Sequence, residues 1–257
     1  MPVRGTKDYA PGQVRVSFLL LDGQGSPVYR KGIRVTVAPK GGKPFATVPV
    51  SLEPVGVPGV DTDLGAISRL YVIHFRAPRA GAYTLVASAS KGKPVRAVWT
   101  IHVRKHPRAP AVGSRAIPAN TPTIASTHGN FRALTTRTPP DKALLRYSVA
   151  GSLAAHKPFV LVFATPKFCT SRTCGPVVDV VDAVRKQFSR TPVRFIHVEV
   201  YKDNNPGLGY NRWFKRWHLR TEPWTFLVGR DGRIKARFEG SVSVGELGAA
   251  VRRYLAK

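Results

Sequence analysis

Only two cysteines occur in the 257 residues, Cys169 and Cys174, and they stand five positions apart in the run FVLVFATPKFCTSRTCGPVVDVVDAVRKQF. The apolar stretch Phe159 to Phe163 predicts a strand. A short loop carrying both sulfurs follows, and then an amphipathic helix. Its buried stripe is Val177, Val181, Val184 and Phe188, with Asp179, Asp182, Arg185 and Lys186 mostly off it. Ser171 or Thr173 suits the helix cap, and Pro176 suits its first turn, where a missing N–H goes unused. Thiols at the mouth of a helix favour the thiolate form, which lowers a cysteine pKa from about 8.5 to roughly 3.5–7. Lys167 and Arg172 in the same loop act in that direction. Sulfurs this near in sequence can also bond, so the unit is able to cycle between dithiol and disulfide. A disulfide that never turns over fits the same spacing. It closes a ring of about six residues, worth roughly 2 kcal/mol, enough to lock a loop locally.

A wider constellation surrounds the pair, from roughly Asp141 to Lys257. Ser148 to His156 reads as a helix, followed by Lys157-Pro158 and the strand ending at Phe163-Ala164. Val193 to Val200 alternates as a second core strand. Then comes Thr221-Glu222-Pro223-Trp224-Thr225-Phe226-Leu227-Val228, a strand introduced by proline. Gly229-Arg230-Asp231-Gly232 makes a hairpin turn, Ile234 to Phe238 pairs back, and Ser243 to Leu255 reads as the last helix. In this order, with Phe168-Cys169 in the place of a Trp-Cys step, the stretch resembles the thioredoxin-like superfamily. The resemblance implies thiol-disulfide exchange with protein thiols or disulfides and no cofactor. It makes Cys169 the attacking thiolate and Cys174 the resolving thiol. It makes Pro223 a cis proline facing the sulfurs, offering neighbouring backbone to an extended substrate segment, with Phe168 and Trp224 flanking that groove.

Two departures from the family stand out. Four residues separate the cysteines instead of two, and Cys174-Gly175-Pro176-Val177 mimics the usual motif with Val177 in place of the second thiol. The strand before the site, Val160-Leu161-Val162, carries no acid, so its route for protons is open. The pair also resembles that of the Sco-type copper-delivery proteins, which implies copper(I), a soft ion suited to thiolates. Those proteins add a histidine, whereas Thr221 to Trp224 has none and His218 is the nearest. The other histidines show no ligand spacing and zinc has no site, so no metal-binding residue is assigned.

The remaining sequence predicts a second domain, so the fold class is multi-domain: an all-β Ig-like sandwich over 1–106, then an α/β thioredoxin-like fold over 107–257. Val14, Val16, Phe18 and Leu20 alternate in one strand, and Ile33, Val35 and Val37 in another. Leu70, Val72 and His74 oppose Tyr71, Ile73 and Phe75. Val95, Ala97, Trp99, Ile101 and Val103 form the clearest period-2 face. Short strands with frequent turns argue for a sandwich. Ala80-Gly81-Ala82-Tyr83-Thr84-Leu85 resembles the penultimate strand of bacterial Ig-like modules, with Tyr83 either a corner tyrosine or a plain core one. Residues 107–140 hold six prolines and no acid and read as an extended lead-in. Val112 to Pro118 resembles the approach to extracytoplasmic thioredoxin-like and peroxiredoxin-like domains, with Ile124, Phe131 and Leu134 as anchors.

Forty-one basic against 14 acidic residues give a net charge of +27. The excess is spread along the chain, and no nucleic-acid-reading motif accompanies it. Arg212 to Trp217 interleaves basic and aromatic residues, but Trp213 and Trp217 are one turn apart and are expected to pack on the sheet. A global positive field favours encounter with anionic envelope polymers, acidic lipids or acidic proteins. No apolar run reaches membrane-span length, and Met1-Pro2-Val3-Arg4-Gly5 begins no signal peptide. A β-sandwich fused to a thioredoxin-like domain is nevertheless typical of exported bacterial proteins, and one cysteine pair suits an oxidising space. The expected location is therefore extracytoplasmic.

Overall fold

Period-2 patterning builds the first unit. The computed structural model describes residues 1–60, 67–89, 95–169 and 173–256. Among these the chain is mostly β with a few helices, and it divides into two units. One comprises Met1–Pro54 and Leu64–Arg108, the other Val55–Asp63 and Ala109–Lys257. The first contains strands β1 (Pro2–Arg4), β2 (Gly12–Leu20), β3 (Arg34–Pro39), β4 (Ala46–Pro49), β5 (Ser51–Pro54), β6 (Arg69–Ala77), β7 (Gly81–Ala89) and β8 (Val95–Val103). They form two antiparallel sheets, ordered β1-β2-β6-β5 and β4-β3-β7-β8. The alternating sets Val14/Val16/Phe18/Leu20, Val35/Val37, Tyr71/Ile73/Phe75 and Ala97/Trp99/Ile101/Val103 meet in one buried cluster. Leu70 and Val72, on the opposite face of β6, are buried as well. Tyr83 is a corner tyrosine: its hydroxyl donates to the Arg79 carbonyl at 2.8 Å, while its ring lies in the core.

The second unit has one mixed sheet between helices. Its strands are β9 (Phe159–Phe163), β10 (Arg194–Val198), β11 (Trp224–Val228) and β12 (Ile234–Glu239). Its helices are α1 (Val149–Ala154), α2 (Cys174–Gln187), α3 (Arg212–Arg216) and α4 (Val244–Tyr254). The sheet order is β10-β9-β11-β12, with β10 parallel to β9 and the other pairs antiparallel. Helices α1, α3 and α4 start where a small polar residue satisfies an orphan N–H. Ser148 caps α1, Asn211 caps α3, and Ser243 with Glu246 makes a reciprocal capping box on α4. Ser171 and its suggested capping role lie outside the described residues. Thr173 holds the cap position of α2, but, contrary to expectation, its side chain makes no cap hydrogen bond there, its backbone being already helical. One face of the sheet packs Val160, Val162 and Leu227 against Val177, Val181, Val184 and Phe188 of α2 and Leu247 and Val251 of α4. The other packs Phe159, Leu161, Phe163, Phe226 and Val228 against Phe214 and Trp217. Asp182, expected off the stripe, is buried on α2 and pairs with Arg185 and Lys186 at 2.7 Å each.

The proline-rich lead-in is attached along its length. Gly113 N–H donates to Ile234 O, Ile234 N–H to Ser114 O and Ala116 N–H to Gly232 O, which extends the sheet edge beside β12. Leu134 is buried, and Ile124 and Phe131 are half-buried. Val57, from the part of the chain that precedes β6, also packs on this unit's core.

Removing the Tyr83 hydroxyl tests the corner. Tyr83→Phe leaves the ring in place but strands the Arg79 carbonyl. It should cost about 1 kcal/mol, read as a lower urea midpoint at an unchanged slope.

Candidate functional site

The site is assembled by strand register. In the antiparallel pairing of β9 with β11, Trp224 stands opposite Phe163. The chain leaving β9 through Ala164 and Thr165 toward the cysteines therefore runs beside the chain entering β11 through Glu222 and Pro223. The Glu222–Pro223 peptide is cis, as expected. Helix α2 begins at Cys174 itself. The sulfurs of Cys169 and Cys174 and a carboxylate oxygen of Glu222 all lie within 4.8 Å of one another. Both cysteines are free thiols here, and they hydrogen-bond to each other. Thr170, Ser171 and Arg172 between them lie outside the described residues.

The two sulfurs are not equivalent. Cys169 is half-buried, whereas Cys174 has no exposed surface. Burial pushes the Cys174 thiol well above the usual thiol range. The hydrogen bond and charge of Cys169 and the charge of Glu222 add to this, and a backbone hydrogen bond from Thr165 opposes it only partly. This corrects the expectation that a helix mouth lowers both thiols. A helix terminus is worth about 0.3–2 kcal/mol, too little to offset removal of a thiolate from water. Lys167, expected to assist, is exposed, and its ammonium lies 5.5 Å from the centroid of the Phe168 ring.

Glu222 is the site residue whose role the sequence reading left unassigned. Burial is the first cause that raises its carboxyl to about 7, and the negative charges of Cys169 and Glu199 reinforce it. Tyr201 opposes these by donating to Glu222 Oε1 at 3.5 Å. Glu222 Oε2 is buried and has no hydrogen-bond partner among the described residues. Tyr201 is itself raised to about 12, by burial first and then by Glu222. It stacks on Tyr210, with centroids 5.6 Å apart. A visible signal existed for Glu222, an acid immediately before the proline of the β11 strand, but its closeness to the sulfurs comes from register alone. Glu199, just past β10, is also buried and was equally unforeseen. Its Oε1 accepts from the Thr136 amide at 2.6 Å and hydroxyl at 2.8 Å, and the same hydroxyl accepts from Lys167 N–H at 3.1 Å.

The remaining expected site residues divide. Phe168 is half-buried beside Cys169, and Pro223 is buried, its carbonyl already accepting from Gly240 N–H at 2.8 Å. Trp224, expected to flank an open groove, is 2% exposed. It stacks on Phe226 and donates its indole N–H to Thr221 Oγ1 at 3.1 Å, so it belongs to the core. His218 does not join the cysteine group, so the imidazole needed for a copper centre is missing there among the described residues. His197 is buried on β10, where Nε2 lies 3.0 Å from the Ala164 carbonyl. Trp217 is fully buried against Phe163 and Phe226, as the helical spacing suggested. No helix among the described residues is long and apolar enough to cross a membrane.

No family model matches the chain, and no curated protein does. Among solved structures it is similar to a thioredoxin-family thiol:disulfide interchange protein from Chlorobium tepidum TLS, at 14% identity and TM-score 0.36 over 57% of this chain and 96% of that one. It is also similar to the filamin domain of Lin-41, at 18% identity and TM-score 0.26 over 41% of this chain and 93% of that one. Likeness at these values carries no conclusion about activity, which rests on the side chains.

The unequal thiols give a chemical test. Brief treatment of the native reduced protein with iodoacetamide at neutral pH should alkylate Cys169 and spare Cys174, which becomes reactive on unfolding. Peptide mass mapping reads the outcome, and equal labelling of both would contradict these roles.

Proposed function

We propose that the second unit is a thioredoxin-like domain that exchanges disulfides with protein partners outside the cytoplasmic membrane, and that the first is an Ig-like interaction module. The observation that carries this reading is the closeness of a half-buried thiol and a buried thiol to each other and to the Glu222 carboxylate. Cys169 thiolate attacks a partner disulfide, and one partner sulfur leaves as thiolate. Cys174 thiolate then attacks Cys169 Sγ, the Cys169–Cys174 bond forms, and the second partner sulfur leaves. The partner gains two electrons and the dithiol loses two; the reverse sequence oxidises a partner. Phe168 and the backbone beside Pro223 line the side from which the partner segment approaches. Trp224 supports that backbone from within the core. The net charge of +27 favours encounter with anionic envelope surfaces and acidic partners.

Trapping separates exchange from a static bridge. With a disulfide-bonded test protein, Cys174→Ser should accumulate a mixed disulfide at Cys169, and Cys169→Ser should not. Equilibration in graded glutathione buffers should give a midpoint above about −300 mV. A lower midpoint, or no mixed disulfide at Cys169, would leave a structural disulfide as the better reading.

A further inference from the structure

The Cys174 sulfur poses a problem of proton traffic. It is fully buried, and burial favours its thiol form. A resolving sulfur must nevertheless be thiolate when it attacks. Its proton therefore has to pass to a group inside the site, directly or through one water. The strand beneath the cysteines offers none, since Phe159 to Phe163 is entirely apolar. The loop entering β11 does. Glu222 brings a carboxylate oxygen within 4.8 Å of both sulfurs. Only one of its oxygens faces a donor among the described residues, the Tyr201 hydroxyl at a long 3.5 Å, and Oε2 retains its acceptor capacity.

We propose that Glu222 takes the proton from Cys174 when that sulfur resolves a mixed disulfide and returns it when the Cys169–Cys174 bond is reduced. This rests on the exchange reading above and deepens it. In the resolving step the S–H bond of Cys174 breaks, and its proton goes to the Glu222 carboxylate. The freed thiolate forms the bond to Cys169 Sγ. The Cys169–partner bond breaks, and the partner sulfur leaves with that electron pair and is protonated from solvent. Glu222 then releases its proton to solvent. Reduction runs the same steps backwards.

The surroundings suit a group that both accepts and donates near neutrality. Cys169 and Cys174 face Glu222 from the loop and the start of α2. Tyr201 and Tyr210 face it from the segment after β10, and Glu199 from the end of β10. The charges acting on it among the described residues, Cys169 and Glu199, are both negative, so no cation there holds it ionised. Glu199 accepts from Thr136 through Oε1 and, like Glu222, has a buried Oε2 without a partner among the described residues, but only Glu222 places an oxygen within 4.8 Å of both sulfurs. In the dithiol form burial, then Cys169 and Glu199, raise its carboxyl to about 7; in the mixed disulfide Cys169 is uncharged, and burial and Glu199 still act to raise it, toward the range in which a carboxyl can exchange protons at ordinary pH.

Dithiobis(nitrobenzoate) separates the steps without a natural partner. The reduced protein releases one thionitrobenzoate as Cys169 attacks the reagent disulfide and a second as Cys174 attacks Cys169 Sγ. In Glu222→Gln the first phase should stay within a few-fold of wild type, and the second should slow by about 100-fold. Plotted against pH, the wild-type second phase should level off with an inflection at or below about 7 that Glu222→Gln lacks. Glu222→Asp, which keeps a carboxylate on a shorter arm, should retain an inflection and recover part of the rate. A second phase in Glu222→Gln with wild-type rate and inflection overturns the proton role while leaving the dithiol reading intact. Absence of a Cys169 first phase from wild type itself overturns both.

Discussion

The register between β9 and β11 is the constraint on which the second unit's chemistry depends. All ten residues of these strands are at most 2% exposed. The two faces nevertheless differ in size: Phe159, Leu161, Phe163, Trp224 and Phe226 point to one side, and Val160, Val162 and Leu227 to the other. A slip of one residue would turn every side chain of β11 over. Phe226 would then press into the valine-lined layer under α2, and overpacking of that kind costs about 1–3 kcal/mol or more. Bulk on one face and small side chains on the other thus hold Trp224 opposite Phe163, and that pairing delivers Glu222 to the sulfurs.

The same feature explains how far the sequence could be read. Order and type of elements were legible because each carries a local mark: an apolar run for β9, a 3.6-residue stripe for α2, a glycine-bounded turn before β12, a serine cap on α4. The period-2 faces of β2, β3 and β8 were legible for the same reason, since one side of each faces away from the core. A strand buried on both sides has no polar alternation to reveal which residue meets which neighbour. Trp224 was therefore assigned to a groove it does not reach. Glu222 was read as part of a strand motif, although it lies by the cysteines. The helix mouth at Cys174 was visible, but the completeness of its burial was not, and burial decides the direction of its pKa.

Charge shows a comparable split between local and global. The chain carries +27, yet the groups whose charges act on Glu222 among the described residues are the acidic Cys169 and Glu199. Exposed charges beyond about 8 Å are largely screened at physiological ionic strength, whereas buried neighbours are screened far less. The excess of arginine and lysine therefore governs what the protein meets. The acid–base behaviour of the site follows from the few groups buried with it.

Those groups are fixed in part by the proline-rich lead-in, for which the sequence predicts an extended segment anchored by Ile124, Phe131 and Leu134. A proline-rich stretch has few ladder bonds of its own, so its buried polar groups must pair elsewhere. Thr136 does so at the site, joining the Glu199 carboxylate to the backbone of Lys167. Next to it Arg137 forms an ion pair with Asp179 of α2. Asp141 caps a short helical turn and hydrogen-bonds to the buried Asp182. Burial and that neighbour raise the Asp141 carboxyl, while Lys186 and Arg185 overcome burial to hold Asp182 low. The lead-in thus ties the end of β10, the cysteine loop and α2 together. It acts as an outer layer of the site, and a loop that must bring two thiols together needs that kind of fixed boundary.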